Sequence, residues 1–215
     1  MKNPFANYPF PSWIFASKDE LCSRLSRALS TPLVRGFLRF HRCPVGRGFT
    51  TDGLPRIRMQ RPGSISIGDH VTWNCRVMSN LAGICQATIL NCMDEGSISI
   101  GDNAGLSGTV LSSRKCISLG RRCNIGVNTR IYDHDFHSLN HLHRTERKID
   151  QVNIKSAPVD IGEDVLVGAN VIILKGVTLG PRSIIAAGSV VTRGSYPSDS
   201  LIGGNPAKVI RRLAP

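Results

Sequence analysis

Aromatic residues are scarce, at 6% of 215 positions, although the apolar fraction is an ordinary 41%. A core of normal extent with so few rings has to be assembled from stacked aliphatic side chains. No apolar run approaches the roughly 20 residues of a membrane span. Prolines in the opening MKNPFANYPFPSW break the apolar stretch that a signal peptide needs, so a soluble, cytoplasmic protein is expected. Acidic residues are also few, 15 against 27 Lys and Arg, leaving a net charge of +12. That excess implies an anionic partner, whether nucleic acid, an acidic membrane surface or a polyphosphate ligand. The cations are not interleaved with aromatics for base stacking, which argues against nucleic acid. C-x-x-C pairs are missing too. The seven cysteines (22, 43, 75, 85, 92, 116 and 123) lack the paired spacing of a zinc site or disulfide framework, and read as reduced, structural thiols.

What the chain does have is a repeat. From Val159 the sequence divides into VDIGED, VLVGAN, VIILKG, VTLGPR, SIIAAG and SVVTRG. The third positions are Ile161, Val167, Ile173, Leu179, Ile185 and Val191, and the first positions are Val or Ser throughout. A period of six suits neither a helix nor an unbroken two-residue alternation. It suits a short strand and a tight corner, repeated, with three hexads making one triangular coil. The third-position aliphatics then point inward, each contributing roughly 1.5–3 kcal/mol on burial. Neighbouring coils pair as parallel strands about 4.8 Å apart.

The same spacing recurs less regularly at Ile67-Gly68, Trp73, Ile100-Gly101, Leu106, Leu119-Gly120, Ile125-Gly126 and Ile131. A one-residue slip between Leu106 and Leu119 points to an extra corner residue near 113–115. The solenoid is expected over about 64–194, interrupted once, by the polar, histidine-rich segment 133–158, read as an extruded, functional loop. Residues 1–63 form a partly helical extension. In it Ser17-Lys18-Asp19-Glu20 has the form of a capping box. Leu21, Leu25 and Leu29 follow at helical spacing until Pro32, and Leu33, Val34, Phe37 and Leu38 alternate with Arg35 and Arg39. One or two short helices packed on the first coils are expected. The sharper reading is a basic amphipathic segment in peripheral contact with an anionic membrane. Residues 195–215 make a turn, Gly203-Gly204-Asn205-Pro206, and a basic tail.

The hexads, the preceding Ser156-Ala157-Pro158 and the ending GNPAKVIRRL resemble the hexapeptide-repeat acyltransferases. The branch most similar is that of maltose/galactoside acetyltransferase-like enzymes and polysaccharide O-acetyltransferases. The resemblance covers about residues 65–212 and implies a left-handed parallel β-helix, an exception to the right-handed rule for parallel crossovers. It implies a homotrimer with active sites between subunits, acetyl-CoA as cosubstrate and no metal. In Ile131-Tyr132-Asp133-His134-Asp135-Phe136-His137, the resemblance places the general base at His134, with His137 as competitor or acceptor contact. Asp133 or Asp135 is a candidate to orient the imidazole, and Asp133 also a candidate acceptor contact. It implies an oxyanion donor at the Ala169 backbone N–H, and coenzyme A contacts at Gly168, Ala169, Ala187, Thr192, Arg193, Lys208 and Arg211. Two positions depart from the pattern. Leu166 stands where many relatives carry tryptophan, and Gly108 where small-sugar enzymes place an acceptor-binding asparagine. A larger saccharide acceptor, polymeric or lipid-linked, therefore suits the chain better than a simple sugar. The alternatives are N-acetyl transfer to an amino-sugar, a serine acetyltransferase-like activity, and zinc carbonic anhydrase on the same fold.

Overall fold

The structure, a computed structural model, describes residues 12–214; the readings of residues 1–11 lie outside it. Strands of two to six residues stack into the three faces of a left-handed β-helix. The first face runs through Ile65–Ile67, Ile98–Ile100, Ile117–Leu119, Val159–Ile161, Val177–Leu179 and Gly194–Tyr196. The second runs through Thr50–Asp52, Thr72–Asn74, Gly105–Ser107, Asn124–Ile125, Leu166–Val167, Ile184–Ile185 and Ser200–Gly204, closed by antiparallel Ala207–Arg212. The third runs through Arg56–Met59, Ile89–Cys92, Val110–Ser113, Arg130–Tyr132, Ile172–Ile173 and Val190–Val191.

The hexad ladder fills the prism as its spacing predicts: Ile161, Val167, Ile173, Leu179, Ile185 and Val191 are all at most 1% exposed. Corners turn through left-handed residues such as Asn128, Asp164 and Asn170, residue types that tolerate this conformation. Glycine follows the inward position because coils approach closely there. A Cβ on Gly168 would sit 2.6 Å from the Ala187 backbone nitrogen. Four of the seven cysteines are buried, all seven are free, and burial pushes the Cys92 and Cys123 thiols up to about 11.

The strands reach beyond the expected 64–194 at both ends. Thr50–Asp52 and Arg56–Met59 open the second and third faces, and Gly194–Tyr196 and Ser200–Gly204 continue the first and second. These strands were obscured because their neighbours in sequence break the six-residue spacing. The solenoid is also interrupted twice rather than once. A second excursion, residues 75–88 with a 3₁₀ turn at Val77–Ser79, leaves the corner between the second and third faces. It packs on Gly108, whose φ is +54° and whose Cβ position lies 2.8 Å from Ile84 and from the Gln86 carbonyl. An asparagine would not fit there. The irregularity near 113–115 falls at the corner between the third and first faces, between Val110–Ser113 and Ile117–Leu119.

A single helix, α1 (Ser12–Phe40), passes through Pro32 without ending, so neither the break nor the capping box appears, and Ser17 is inside the helix. Pro32 lies on the exposed side, where water can serve the freed carbonyl of Ala28. Just before it, the helix is pinned to the first strand. Ser30 Oγ donates to the Thr51 carbonyl at 2.5 Å, and the Thr51 N–H donates to Thr31 Oγ1 at 3.0 Å. Arg76 bridges the wholly buried Asp52 (3.1 Å) and Ser23 Oγ (2.8 Å). Val34 and Leu38 join Cys43, Phe49 and Trp73 in the core, so α1 closes the open end of the prism. Leu21, Leu25, Leu29 and Leu33 do not pack on the coils; each is 57–69% exposed. Among the described residues no helix is long and apolar enough to cross a membrane.

Candidate active site

Residues 133–158 leave the corner between the third and first faces just after Arg130–Tyr132. Both ends are zipped: the Ala157 N–H donates to the Asp133 carbonyl (2.8 Å), the Asp135 N–H to that of Lys155 (2.9 Å), and His134 bridges Ser156. The loop is held by its own side chains. Asp150, in a short helix α2 (Arg147–Val152), accepts from the Ser138 N–H at 2.7 Å and pairs with His137 Nδ1 at 2.6 Å. Arg144 donates to the Ser138 carbonyl.

His134 sits at the loop's root with a side chain only 1% exposed. Its Nδ1 meets Asp133 Oδ1 at 3.0 Å, and its Nε2 is buried with no partner among the described residues. Asp133 is wholly buried and accepts three further bonds, from Ser113 Oγ (2.7 Å) and from the backbone N–H groups of Arg114 and Lys115 (2.8 Å each). Burial alone would push its carboxyl up; the bonds from His134, Arg114, Ser113 and Lys115 outweigh that and hold it below the usual carboxylate range. An ionised Asp133 can only accept, so Nδ1 must donate to it, which fixes the imidazole tautomer and leaves the Nε2 lone pair as acceptor. Asp133 therefore stands behind the imidazole and does not face an acceptor, contrary to one of its expected roles. Asp135 is engaged elsewhere, by Lys175 Nζ at 2.5 Å. His137 is on the loop's outer surface with a 67% exposed side chain and forms a separate pair with Asp150.

The other expected residues fall at two corners and a hairpin. Thr192 and Arg193 share the corner of His134, between Val190–Val191 and Gly194–Tyr196. Gly168, Ala169 and Ala187 stack at the corner between the second and third faces. Lys208 and Arg211 are exposed on the terminal strand, opposite Gly203 and Leu201. Within one chain, His134 and the Ala169 N–H thus lie on different edges of the prism. Leu166, 46% exposed, lines a groove of about 450 Å³ on the second face with His70, Asn74, Asn80, Asn103 and Asn124. Asn74 and Asn80 both donate to Ser107 Oγ at 3.1 Å.

A second groove, of about 490 Å³, runs along the third face toward His134 and was not anticipated. It includes Arg56, Arg58, Arg130, Tyr132 and Phe136. Phe136 lies 4.8 Å from the His134 ring, tilted by 59°, and edge-on to Tyr132 at 5.0 Å. The signal available in sequence was the alternation Arg56-Ile57-Arg58, which places two cations on one side of a strand.

This geometry describes a left-handed β-helix with a buried, carboxylate-oriented histidine where the solenoid's longest excursion leaves its corner. Residues 158–193 match the family model described as the hexapeptide repeat of succinyl-transferase. Among curated proteins, a putative acetyltransferase of Staphylococcus aureus is 44% identical over 77 residues, 36% of each chain. A 2,3,4,5-tetrahydropyridine-2,6-dicarboxylate N-acetyltransferase of the same species is 47% identical over 59 residues, 27% of this chain and 24% of that one. The chain thus spans about a third or less of the length of these curated relatives. Among solved structures, a hexapeptide-repeat acetyltransferase from Vibrio cholerae, complexed with acetyl coenzyme A, aligns over 93% of this chain and 87% of its own. Its TM-score is 0.56 and its identity 25%. An N-acyltransferase from Bacillus cereus, in complex with dTDP and coenzyme A, shares the fold at a TM-score of 0.63 and 22% identity, covering 80% of this chain and 84% of its own. Residues 158–193 are thus similar to the hexapeptide repeat of the acyltransferases, and the chain as a whole shares the fold of these solved structures.

Proposed function

We propose that the protein transfers an acetyl group from acetyl-CoA to a hydroxyl of a sugar or polysaccharide unit, with His134 as general base. The observation that carries this reading is the unpartnered Nε2 of His134, buried and set in its acceptor tautomer by Asp133. Acetyl-CoA supplies an activated thioester. His134 Nε2 removes the acceptor hydroxyl proton as that oxygen bonds to the thioester carbonyl carbon. The carbon–sulfur bond then breaks, and the imidazolium returns its proton to the departing thiolate. A base so placed contributes about 10²–10⁴-fold. The Ala169 N–H is the candidate donor to the oxyanion.

Because His134 and Ala169 lie on different edges of one prism, they serve one acetyl group only if two copies adjoin. A homotrimer with its sites between subunits supplies this. The small residues Gly168, Ala169 and Ala187 leave room for a pantetheine arm. Arg193, Lys208 and Arg211 are exposed cations suited to the cofactor's phosphates. Peripheral contact of α1 with an anionic membrane is also proposed. Residues 21–51 hold six arginines and no acidic residue, and Leu21, Leu25, Leu29 and Leu33 face outward. Vesicles containing anionic lipid should sediment the protein, and those of neutral lipid should not.

N-acetyl transfer to an amino-sugar is the second reading, favoured by the N-acyltransferases among the similar proteins. Thiol release from acetyl-CoA, measured with matched hydroxyl and amine acceptors, decides between them. The proposal expects hydroxyl-dependent turnover that falls about 10²-fold or more in His134→Ala. An active amine series with an inactive hydroxyl series would replace it by the second reading. Undiminished turnover in His134→Ala would remove the base.

A further inference from the structure

Fewer than half of the twenty arginines are neutralised by a carboxylate among the described residues. Arg24, Arg47, Arg61, Arg76, Arg114, Arg121, Arg122 and Arg182 each pair with a carboxylate. Arg56, Arg58 and Arg130 have no carboxylate or side-chain hydrogen-bond partner among the described residues, and all three line the third-face groove. The register explains why they share it. Arg56 lies three strands from Arg130 in one outward column, through Ile89 and Val110. Arg58 lies three strands from Tyr132 in the next, through Asn91 and Ser112. Three steps of about 4.8 Å set Arg56 and Arg58 roughly 14 Å from the rung that ends at His134.

Beyond the arginine pair the groove changes character. Ile57 also lines an apolar pocket of about 310 Å³, formed with Leu33, Phe37, Leu54 and Pro55. Leu33, Phe37 and Leu54 are 63%, 43% and 60% exposed, and the first two belong to the outward side of α1. From His134 outward the surface therefore offers an aromatic platform at Tyr132 and Phe136, then unpaired guanidinium groups, then an apolar trough. Aromatic faces suit a sugar ring, guanidinium forks suit phosphate oxygens, and a trough of exposed aliphatics suits a hydrocarbon chain.

The geometry points to a lipid-linked diphosphate sugar as the acceptor. Its sugar lies against Tyr132 and Phe136 within reach of His134, its diphosphate on Arg56 and Arg58, and the start of its hydrocarbon tail in the trough beside α1. The separation fits, since a hexose and a diphosphate in line span roughly the distance between His134 and the arginine pair. The assignment rests on the proposed acetyl transfer for the role of the sugar, but the diphosphate and tail subsites are testable without any turnover.

Binding of farnesyl diphosphate to the full chain is the test, with inorganic diphosphate, farnesol and uridine diphosphate as separate ligands, followed by calorimetry. The assignment expects farnesyl diphosphate to bind at least 10-fold more tightly than each of the other three. The double variant Arg56→Gln/Arg58→Gln should weaken it 10-fold or more, and Leu54→Ser several-fold. Arg121→Gln, which removes an ion pair at another corner, should leave it unchanged. Thermal melting checks that the variants are folded, as expected for exposed side chains. Equal affinity for inorganic diphosphate would reduce the site to an anion site, and equal affinity for uridine diphosphate would make the acceptor nucleotide-linked; either overturns the lipid assignment. So would farnesyl diphosphate binding that is absent or indifferent to the arginines. Acetyl-CoA binding, measured on the same samples, tells failure of the acetyltransferase reading from failure of this one. Loss of farnesyl diphosphate binding with retention of acetyl-CoA binding would strike only the acceptor.

Discussion

Replacing Asp133 by asparagine changes one atom in a site where both carboxylate oxygens are fully used. Oδ1 receives His134 Nδ1 and the Arg114 N–H; Oδ2 receives Ser113 Oγ and the Lys115 N–H. An amide has one accepting side, so its NH₂ must face donors whichever way it turns. Directed at His134, it forces the imidazole to present an Nδ1 lone pair and moves the proton to Nε2, where it blocks the base. Directed at Ser113 and Lys115, it spares the tautomer but leaves the Lys115 N–H without its acceptor. A hydrogen bond to a charged group is worth about 1.5–3 kcal/mol and a stranded buried donor costs about 1–3 kcal/mol. Asp133→Asn should therefore lose about 2.5–6 kcal/mol of stability, read as a fall in denaturation midpoint at unchanged slope. Acceptor-dependent kcat should fall about 10²–10⁴-fold with the KM for acetyl-CoA little changed, because the carboxylate bonds to the base and its neighbouring chain and to none of the residues proposed to hold the cofactor. Turnover within threefold of wild type in a variant of unchanged stability would refute the claim that Asp133 sets the tautomer.

Acid should unfold the protein partly through two buried carboxylates. Asp133 and Asp52 are both held below their ordinary values, burial pushing each up and hydrogen bonds outweighing it, from His134 for Asp133 and from Arg76 for Asp52. Their contribution is fully present above the unfolded carboxylate range near pH 4 and disappears as pH falls through the lowered folded values. Asp52→Asn should flatten the acid limb of a stability-against-pH curve. Ile173→Ala, at a wholly buried rung, should cost about 2–5 kcal/mol by chemical denaturation. Gly168→Val should destabilise still more per added carbon, since its Cβ would sit 2.6 Å from the Ala187 nitrogen. A melting temperature at wild-type level would show that the corner stack can part.

The late coils were legible because the third position of every hexad must fill the prism and every corner must turn, so composition and spacing repeat together from Val159 to Gly194. The early coils were less so. The excursion at 75–88 and the long corner at 113–115 displace the pattern, although the inward column of Trp73, Leu106, Ile125 and Val167 continues through it. On α1, spacing told which residues share a side but not what covers that side. Leu21, Leu25 and Leu29 face outward, while Ser30, Val34 and Leu38 face the core. His134 was placed by its motif, and Asp133 as its partner is a fact of the loop's root that two aspartates flanking one histidine left open. The third-face groove was invisible because Arg58 and Tyr132 share a column only through strand register.

A stack of coils has no inherent last member. Each rung offers its successor unpaired backbone groups and an aliphatic layer of matching shape, and a further copy of the same rung is as good a partner as any. Here one end is shut by α1, laid across Phe49 and Trp73 and bonded to Thr51, and the other by the reversal of Ala207–Arg212 against Ser200–Gly204. These two lids give the solenoid a finite length. A chain that lost α1 would present a sticky terminus of the same geometry as its own interior, and its hazard would be growth end to end into fibres as much as unfolding.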